Sequence, residues 1–436
     1  MRQKMYMLSV IMIVTMAGFS YAAGTSDMAM ENTLLKQRLD QLDKEMDVLR
    51  QTVMQQTDTD GMSPKPVWSN LDIQLYGYLK LDAAYDSSRI DNGNYAKWVE
   101  SERYSDDDDQ FNMTTNETRL GMLINGPVNN GMKVSGKVEV DFYGPGDGVK
   151  ENQARLMMRH AYFKLDWPQD RFSIIAGQTS DVISPLVPGT INYSVCWWTG
   201  NIGYRRPQIR LTKELGLVEG GTIKLEGALA RTIGRTDSIT GTETGEDSGV
   251  PSVQGRVSLT TSMFGAKEAT IGLSGHWGEE EYDISTTSDR NRDFDSWSIN
   301  LDYTQPISNK VQIKAEIFKG KDLDAYLGGI GQGVNLDAAP NPNLYEEIGS
   351  KGGWIAASLG PWNKKRFNVG IAMDDVDRDN VNTGARTVNQ SVFGNIIYSL
   401  NEQAEVGFEL SNWRTEYKGP GDADSLRAQA ALIYRF

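Results

Sequence analysis

The sequence predicts an all-β protein: a transmembrane antiparallel β-barrel of about sixteen strands, preceded by a short coiled-coil helix. Three observations carry this expectation. Residues 71–436 alternate apolar and polar side chains in short runs separated by Gly, Pro, Asn and Asp clusters, which is the period of a sheet with two unlike faces. The polar faces hold full charges, among them Lys137, Glu139 and Asp141, then Lys224 and Glu226, then Lys314 and Glu316. Such groups suit a water-filled lumen and not the core of a soluble sandwich. The sequence closes on ADSLRAQAALIYRF, in which Ala428, Ala430, Leu432, Tyr434 and Phe436 share one face. An apolar outer face and a final strand that needs a partner fit a closed barrel in lipid.

In chain order, residues 1–22 have the form of a secretory signal. Arg2 and Lys4 precede the apolar run 7–16, and Ser20-Tyr21-Ala22 offers a cleavage site before Ala23. Residues 23–56 are expected to be a coiled-coil helix. Leu35, Leu39, Leu42, Met46, Leu49 and Val53 follow a heptad spacing, and Arg38/Asp43 and Glu45/Arg50 are opposite charges at flanking positions. Residues 57–70, with TDTDGMSPKP at their start, read as a linker, and the barrel occupies 71–436.

Strands are expected at 71–85, 115–124, 132–143, 156–166, 171–180, 207–214, 221–232 and 252–264. The series continues at 267–278, 294–304, 310–320, 352–359, 365–375, 388–399, 403–417 and 423–436. Short connections at 125–131, 167–170, 305–309 and 360–365 are assigned to the periplasmic side. Long polar ones at 86–110, 233–251, 279–293 and 321–351 are assigned to the exterior. No repeat of fixed length supports a propeller or solenoid.

One long loop is not polar. Residues 181–207, DVISPLVPGTINYSVCWWTGNIGYRRP, are rich in apolar and aromatic side chains. Such a loop needs burial, and inside a barrel the place available is the lumen wall. It is therefore expected to fold inward and narrow a channel, with Arg205, Arg206 and Arg210 bringing positive potential to the constriction. Arg159, Arg119 and Arg256 are expected to face them, with Glu117, Glu139 and Asp141 elsewhere on the wall. Arginine is permanently charged and binds carboxylates in a two-point fashion. Opposed charges across a constriction select among solutes. Cys196 reads as a small buried hydrophobe, and Trp197 and Trp198 as loop packing. The run Asp106, Asp107, Asp108, Asp109 reads as a solvated tip.

Composition narrows the function. A net charge of −14 argues against nucleic acid as a partner. Two histidines and one cysteine give neither a metal pattern nor a disulfide framework. His160 lacks a Ser or Asp partner at a recognisable spacing, and no GxSxG, HExxH or phosphate loop occurs. The expectation is a non-enzymatic porin without cofactor, integral to a Gram-negative-type outer membrane, its partners being small solutes and lipid. An outer-membrane enzyme and a structural tether to the cell wall are the alternatives.

Several short stretches also carry a family resemblance. They are LYGYLKLD at 75–82, TRLG at 118–121, EVDFY at 139–143, RHAY at 159–162, AGQT at 176–179, RPQIR at 206–210 and WRTEY at 413–417. With the preceding signal, heptads and linker, the chain resembles the DcaP-like trimeric porins. The resemblance implies a sixteen-stranded homotrimer with one pore per subunit. It also implies small anions such as dicarboxylates as solutes, a preference carried by Arg205, Arg206 and Arg210 and by Arg159.

Overall fold

The computed structural model describes residues 71–103, 108–144, 154–218, 220–234, 248–263, 267–283, 291–335 and 345–436, together with Arg38, Gln41 and Lys44. Those last three are helical. Apart from them, the expected signal, coiled coil and linker lie outside the described residues, as do Asp106 and Asp107.

The alternating runs pair edge to edge until the sheet meets itself. The strands are β1 (Asp72–Asp86), β2 in two pieces (Gln110–Thr114 and Arg119–Asn129), β3 (Met132–Asp141), β4 (Met157–Trp167), β5 (Phe172–Ser180), β6 (Arg205–Gly216), β7 (Thr222–Ala230) and β8 (Ser252–Met263). The second half comprises β9 (Lys267–Asp283), β10 (Asn291–Ser308), β11 (Val311–Lys321), β12 (Gly349–Trp362), β13 (Lys365–Val376), β14 (Arg386–Ser399), β15 (Ala404–Tyr417) and β16 (Ala423–Arg435). Each pairs antiparallel with its sequence neighbours, and β16 pairs with β1 from Tyr78↔Arg435 to Asp86↔Arg427. Two backbone bonds between Gly77 and Phe436 extend this seam. Closure leaves no edge strand, so backbone groups at membrane depth are paired within the sheet.

The expected strand at 115–124 needs correction. The second stave starts earlier, at Gln110, and is interrupted between Thr114 and Arg119. There the Thr118 hydroxyl accepts from the Lys80 backbone N–H at 3.1 Å, and Phe142 N–H donates to Asn116 O. Side-chain and cross-strand bonds stand in for the missing rungs.

The faces separate as lipid and water require. On β13, Val369, Ile371 and Met373 point outward and are exposed, whereas Asn368, Ala372 and Asp374 are buried inward. On β16, Leu426, Leu432, Tyr434 and Phe436 are outward, and Ser425, Arg427 and Gln429 inward. Each outward Leu or Ile moved from water into lipid contributes about 1.5–3 kcal/mol. The outer wall is therefore apolar because lipid touches it, and the core lies within the cylinder.

One irregularity positions a charge. Between β3 and β4 the register passes from Glu139↔His160 to Val140↔Met158, so Arg159 is an extra, unpaired residue. Beyond the bulge, Ala161 and Phe163 resume the outward parity of Met158. Arg159 and His160 thus both turn inward, which strict alternation would not allow. Opposite, Gly177 on β5 has φ +128°, and an added Cβ would strike Ala161 O and lie 2.6 Å from Tyr162 Cα. A side chain is excluded there by backbone conformation and by close approach alike.

The described parts of three long loops fold into the cylinder. Residues 87–109 carry Ile90, Ala96 and Val99 into a buried cluster with Trp413, Tyr417 and Ala423. Arg427 anchors this loop: its Nη1 donates to both Asp86 oxygens at 3.0 and 2.8 Å and reaches Gly93 O. Residues 181–204 and 322–348 are the other two. The sequence placed 86–110 and 321–351 wholly outside as polar segments. The structure corrects this, because apolar residues in them, among them Ile90, Trp98 and Val99, then Leu323, Tyr326 and Ile330, become buried.

Candidate pore constriction

The loop 181–204, here loop 3, joins β5 to β6 and reaches the opposite wall. Its apolar content explains why: Val182, Ile183, Ile191, Cys196 and Ile202 are all buried. Cys196 packs against Trp354, Ala356, Ala372 and Phe393 on the far strands, and burial pushes its thiol up, so it stays protonated and acts as a small hydrophobe. Trp197 and Trp198 pack edge-on against each other.

Polar bonds fix the crossing. Thr190 Oγ1 donates to Glu409 on β15 at 2.7 Å, and Ile191 N–H donates to the same carboxylate at 2.9 Å. Asn395 on β14 donates to Gly189 O at 2.7 Å and to Glu409 at 2.8 Å. Lys80 on β1 donates to Ile191 O at 2.8 Å, and Leu186 N–H donates to Glu316 on β11 at 2.8 Å. At Gly200 (φ +108°) the loop touches β12 and β13 so closely that a Cβ would strike Gly353 O and lie 2.6 Å from Met373 O.

The loop 322–348, here loop 6, holds the returning end. Gly203 N–H donates to Tyr326 O at 2.8 Å, and Trp198 N–H donates to Leu327 O at 2.7 Å. The Tyr326 ring stacks on His276 with centroids 3.8 Å apart, and the Arg206 guanidinium lies 3.8 Å from the ring centre. Loop 3 is thus tied at its middle to β14 and β15 and at its end to loop 6. The lumen that remains is bounded by the half-exposed inward residues of β1–β8, including Tyr76, Arg119, Tyr162 and Arg210.

The arginines expected to act as one group have three different fates. Arg206 is 1% exposed, pairs with Asp181 at 2.8 Å and donates to Ala325 O at 3.1 Å. It is a strut between loops 3 and 6. Arg210 is partly buried, donates to Gln208 Oε1 at 3.0 Å and to Ser180 O, and lies 4.0 Å from Glu226. Arg205 is buried and stacks on the rings of Trp197 and Tyr204, 5.6 and 5.0 Å from their centres. Among the described residues it has no carboxylate partner, and its Nε and Nη2 have no hydrogen-bond acceptor. Its charge is the least balanced of the three and favours an anion nearby through its field, since the two unmet nitrogens are themselves buried.

Of the other expected residues, Arg119, Glu139, Arg159 and Asp141 form one ladder, while Glu117 and Arg256 pair elsewhere. Glu139 accepts from Arg159 Nε at 2.8 Å and from the Tyr76 hydroxyl at 2.7 Å, with Lys137 at 3.3 Å and Arg119 at 3.6 Å. Arg159 also reaches Asp141 at 2.8 Å. Asp141 accepts from the Tyr193 hydroxyl of loop 3 at 3.2 Å. Glu117 pairs with Lys80 and accepts from Tyr78. Arg256, expected to face Arg205, instead grips Asp302 at 2.9 and 2.7 Å and Glu226 at 3.2 Å. Across this set Lys80, Arg119, Lys137, Arg159, Arg205, Arg210, Lys224 and Arg256 stand against Asp82, Glu117, Glu139, Asp141, Glu226 and Asp302, eight cations against six carboxylates. The cation excess belongs to this patch, since Asp86, Asp181, Glu280, Glu316, Asp322, Asp374 and Glu409 are also buried within the cylinder.

Sequence reasoning missed Glu409, Tyr193 and Asp302. The inward parity of Glu409 in an otherwise mild stretch of β15 was the available signal. Nothing in the sequence marked it as the partner of loop 3.

Removal of one member of the Arg206–Asp181 pair is expected to destabilise the barrel by roughly 3–5 kcal/mol, because the surviving partner stays buried without its counter-charge. Equilibrium denaturant unfolding of Arg206→Ala in detergent checks this. The double variant with Asp181→Ala should recover part of the loss.

The closed barrel with an inward loop defines an integral outer-membrane protein of the porin class. Within that class, residues 27–227 match the family model described as DcaP outer membrane protein, bearing out the resemblance carried by the motifs above. Among solved structures, the outer membrane channel DcaP of Acinetobacter baumannii superposes with a TM-score of 0.67 at 22% identity, covering 86% of this chain and 100% of that one. An anion-selective porin from Comamonas acidovorans gives 0.52 at 12% identity, covering 84% of this chain and 100% of that one. The trimer form of OmpT from Vibrio cholerae gives 0.51 at 11%, with the same coverage. At these identities the likeness speaks for the fold. No curated protein matches the chain.

Proposed function

We propose that the protein is a passive diffusion porin preferring small anions, with carboxylates such as dicarboxylates as its best solutes. The observation that carries this reading is Arg205, held beside loop 3 with donors unmet. The local excess of cations in the patch around Arg119, Arg159 and Arg210 supports it. So does the ladder from Tyr76 through Glu139, Arg159 and Asp141 to Tyr193, which would hold loop 3 rigid while solutes pass. A carboxylate of the solute would meet Arg210 or Arg119, each of which retains exposed surface, while the buried Arg205 acts on it through its field. We also propose a homotrimer, as the heptads and the trimeric OmpT neighbour suggest, delivered to the outer membrane by a cleaved signal at 1–22.

Osmotic swelling of proteoliposomes tests the reading. Small dicarboxylates are expected to enter faster than zwitterions of equal size. Entry no faster than into protein-free liposomes would remove the proposed function.

A further inference from the structure

Away from the lumenal arginines, three carboxylates meet where loop 6 leaves the wall. Glu280 points inward from β9, Asp322 follows the last residue of β11, and Asp324 opens the short 3-10 turn Asp324–Tyr326. One oxygen from each lies within 4.8 Å of the others. Glu280 is 1% exposed and Asp322 0%. Both Asp322 side-chain oxygens lack any hydrogen-bond partner among the described residues. A fully buried carboxylate with neither oxygen satisfied, facing two more carboxylates, calls for neutralisation by a bound cation or by a proton.

We propose that Glu280, Asp322 and Asp324 form a calcium site that fastens loop 6. Two oxygens bound to one calcium at about 2.4 Å can lie no more than about 4.8 Å apart, which the triad satisfies. The donors are all carboxylate oxygens, the set that suits a hard cation and not zinc or copper. Calcium tolerates irregular coordination, whereas magnesium demands a near-ideal octahedron. Gly333 keeps the space between the carboxylates open: a Cβ there would collide with Asp322 Oδ1 and Asp324 Oδ1. The backbone is already in place, since Asp322 N–H donates to Ile348 O at 3.0 Å and the Ser296 hydroxyl donates to Asp322 O at 2.6 Å.

The consequence reaches the pore. Asp324 heads the turn whose Tyr326 and whose following Leu327 accept from loop 3. A cation at the triad would therefore lock loop 6, and through it the returning end of loop 3. This inference does not depend on which solute the channel passes.

The test uses the full-length folded protein in detergent, free of lipopolysaccharide and stripped with EGTA. Thermal unfolding is followed against added calcium chloride, and terbium luminescence is excited through tyrosine, since the Tyr282 hydroxyl lies 3.1 Å from Glu280 Oε2. The expected result is a saturable rise in Tm with one ion per chain and a terbium signal displaced by calcium. Asp322→Asn should weaken calcium binding at least tenfold. Gly333→Ala should weaken it while leaving all three carboxylates present. A wild-type protein with no saturable calcium-dependent shift overturns the proposal whatever the variants do. So does an Asp322→Asn protein that folds and binds as tightly as wild type. A stripped wild type already as stable as the calcium-treated one would show that protons, not a cation, compensate the triad.

Discussion

Arg205→Ala is expected to abolish most of the anion preference while leaving the barrel folded. Arg205 stacks on Trp197 and Tyr204 and has no carboxylate partner among the described residues. Its charge is therefore not cancelled locally, unlike that of Arg159 or Arg256. An ion passing about 6 Å away in a medium of effective dielectric near 40 feels about 1.4 kcal/mol, roughly tenfold in relative occupancy, before salt screening reduces it. The ratio of anion to cation permeability should fall several-fold. Arg205→Lys should keep the sign of the preference and weaken it, because an ammonium lacks the planar face that stacks and the paired donors. Arg206→Ala is the contrast: its charge is spent on Asp181, so stability should fall while selectivity changes little. If Arg205→Ala conducts with unchanged selectivity, the unmet guanidinium is not the discriminating group.

Glu409→Ala should enlarge the pore. That carboxylate accepts from Thr190, Ile191 and Asn395 and is the main polar tie between the middle of loop 3 and the far wall. Hydrogen bonds to a charged acceptor contribute about 1.5–3 kcal/mol each. Losing these leaves buried donors behind and only neutral ties at the middle of the loop, from Asn395 to Gly189 O and from Gln429 to Ile191 O, beside the Lys80 bond to Ile191 O and the Leu186 bond to Glu316. Single-channel recordings should show higher and noisier conductance and weaker selectivity. Glu409→Gln, which can keep an acceptor oxygen at the Oε2 position but loses the charge, should lie between. Conductance equal to wild type would mean that apolar packing of Ile191 and Cys196 holds the loop alone.

Much of this architecture was legible because a barrel wall is written two residues at a time. Each of the sixteen expected segments overlaps a stave, since lipid and water impose opposite demands on neighbouring side chains. The break at 115–118 was not legible, because nothing in Thr-Asn-Glu-Thr shows that Thr118 will bond the Lys80 backbone and Glu117 the Lys80 and Tyr78 side chains. The inward course of loop 3 was legible from its apolar content, and that of loop 6 was not, because Leu323, Tyr326 and Ile330 are scattered among Gly and Asp. The charged site was the least readable part. Adjacent Arg205 and Arg206 look equivalent as letters. Yet one is neutralised by Asp181, distant in sequence, and the other by nothing described. Arg159 owes its place beside Glu139 to a bulge that alternation does not announce. Pairing across a closed cylinder depends on register, and register is a property of the whole ring.

The most direct test of the account is the zero-current potential of the purified wild-type channel in a planar bilayer under a salt gradient. Ion-permeable channels whose potential has the sign of anion selectivity are predicted. Channels that prefer cations would contradict the reading of the lumen, and folded protein that forms no channel would contradict it altogether.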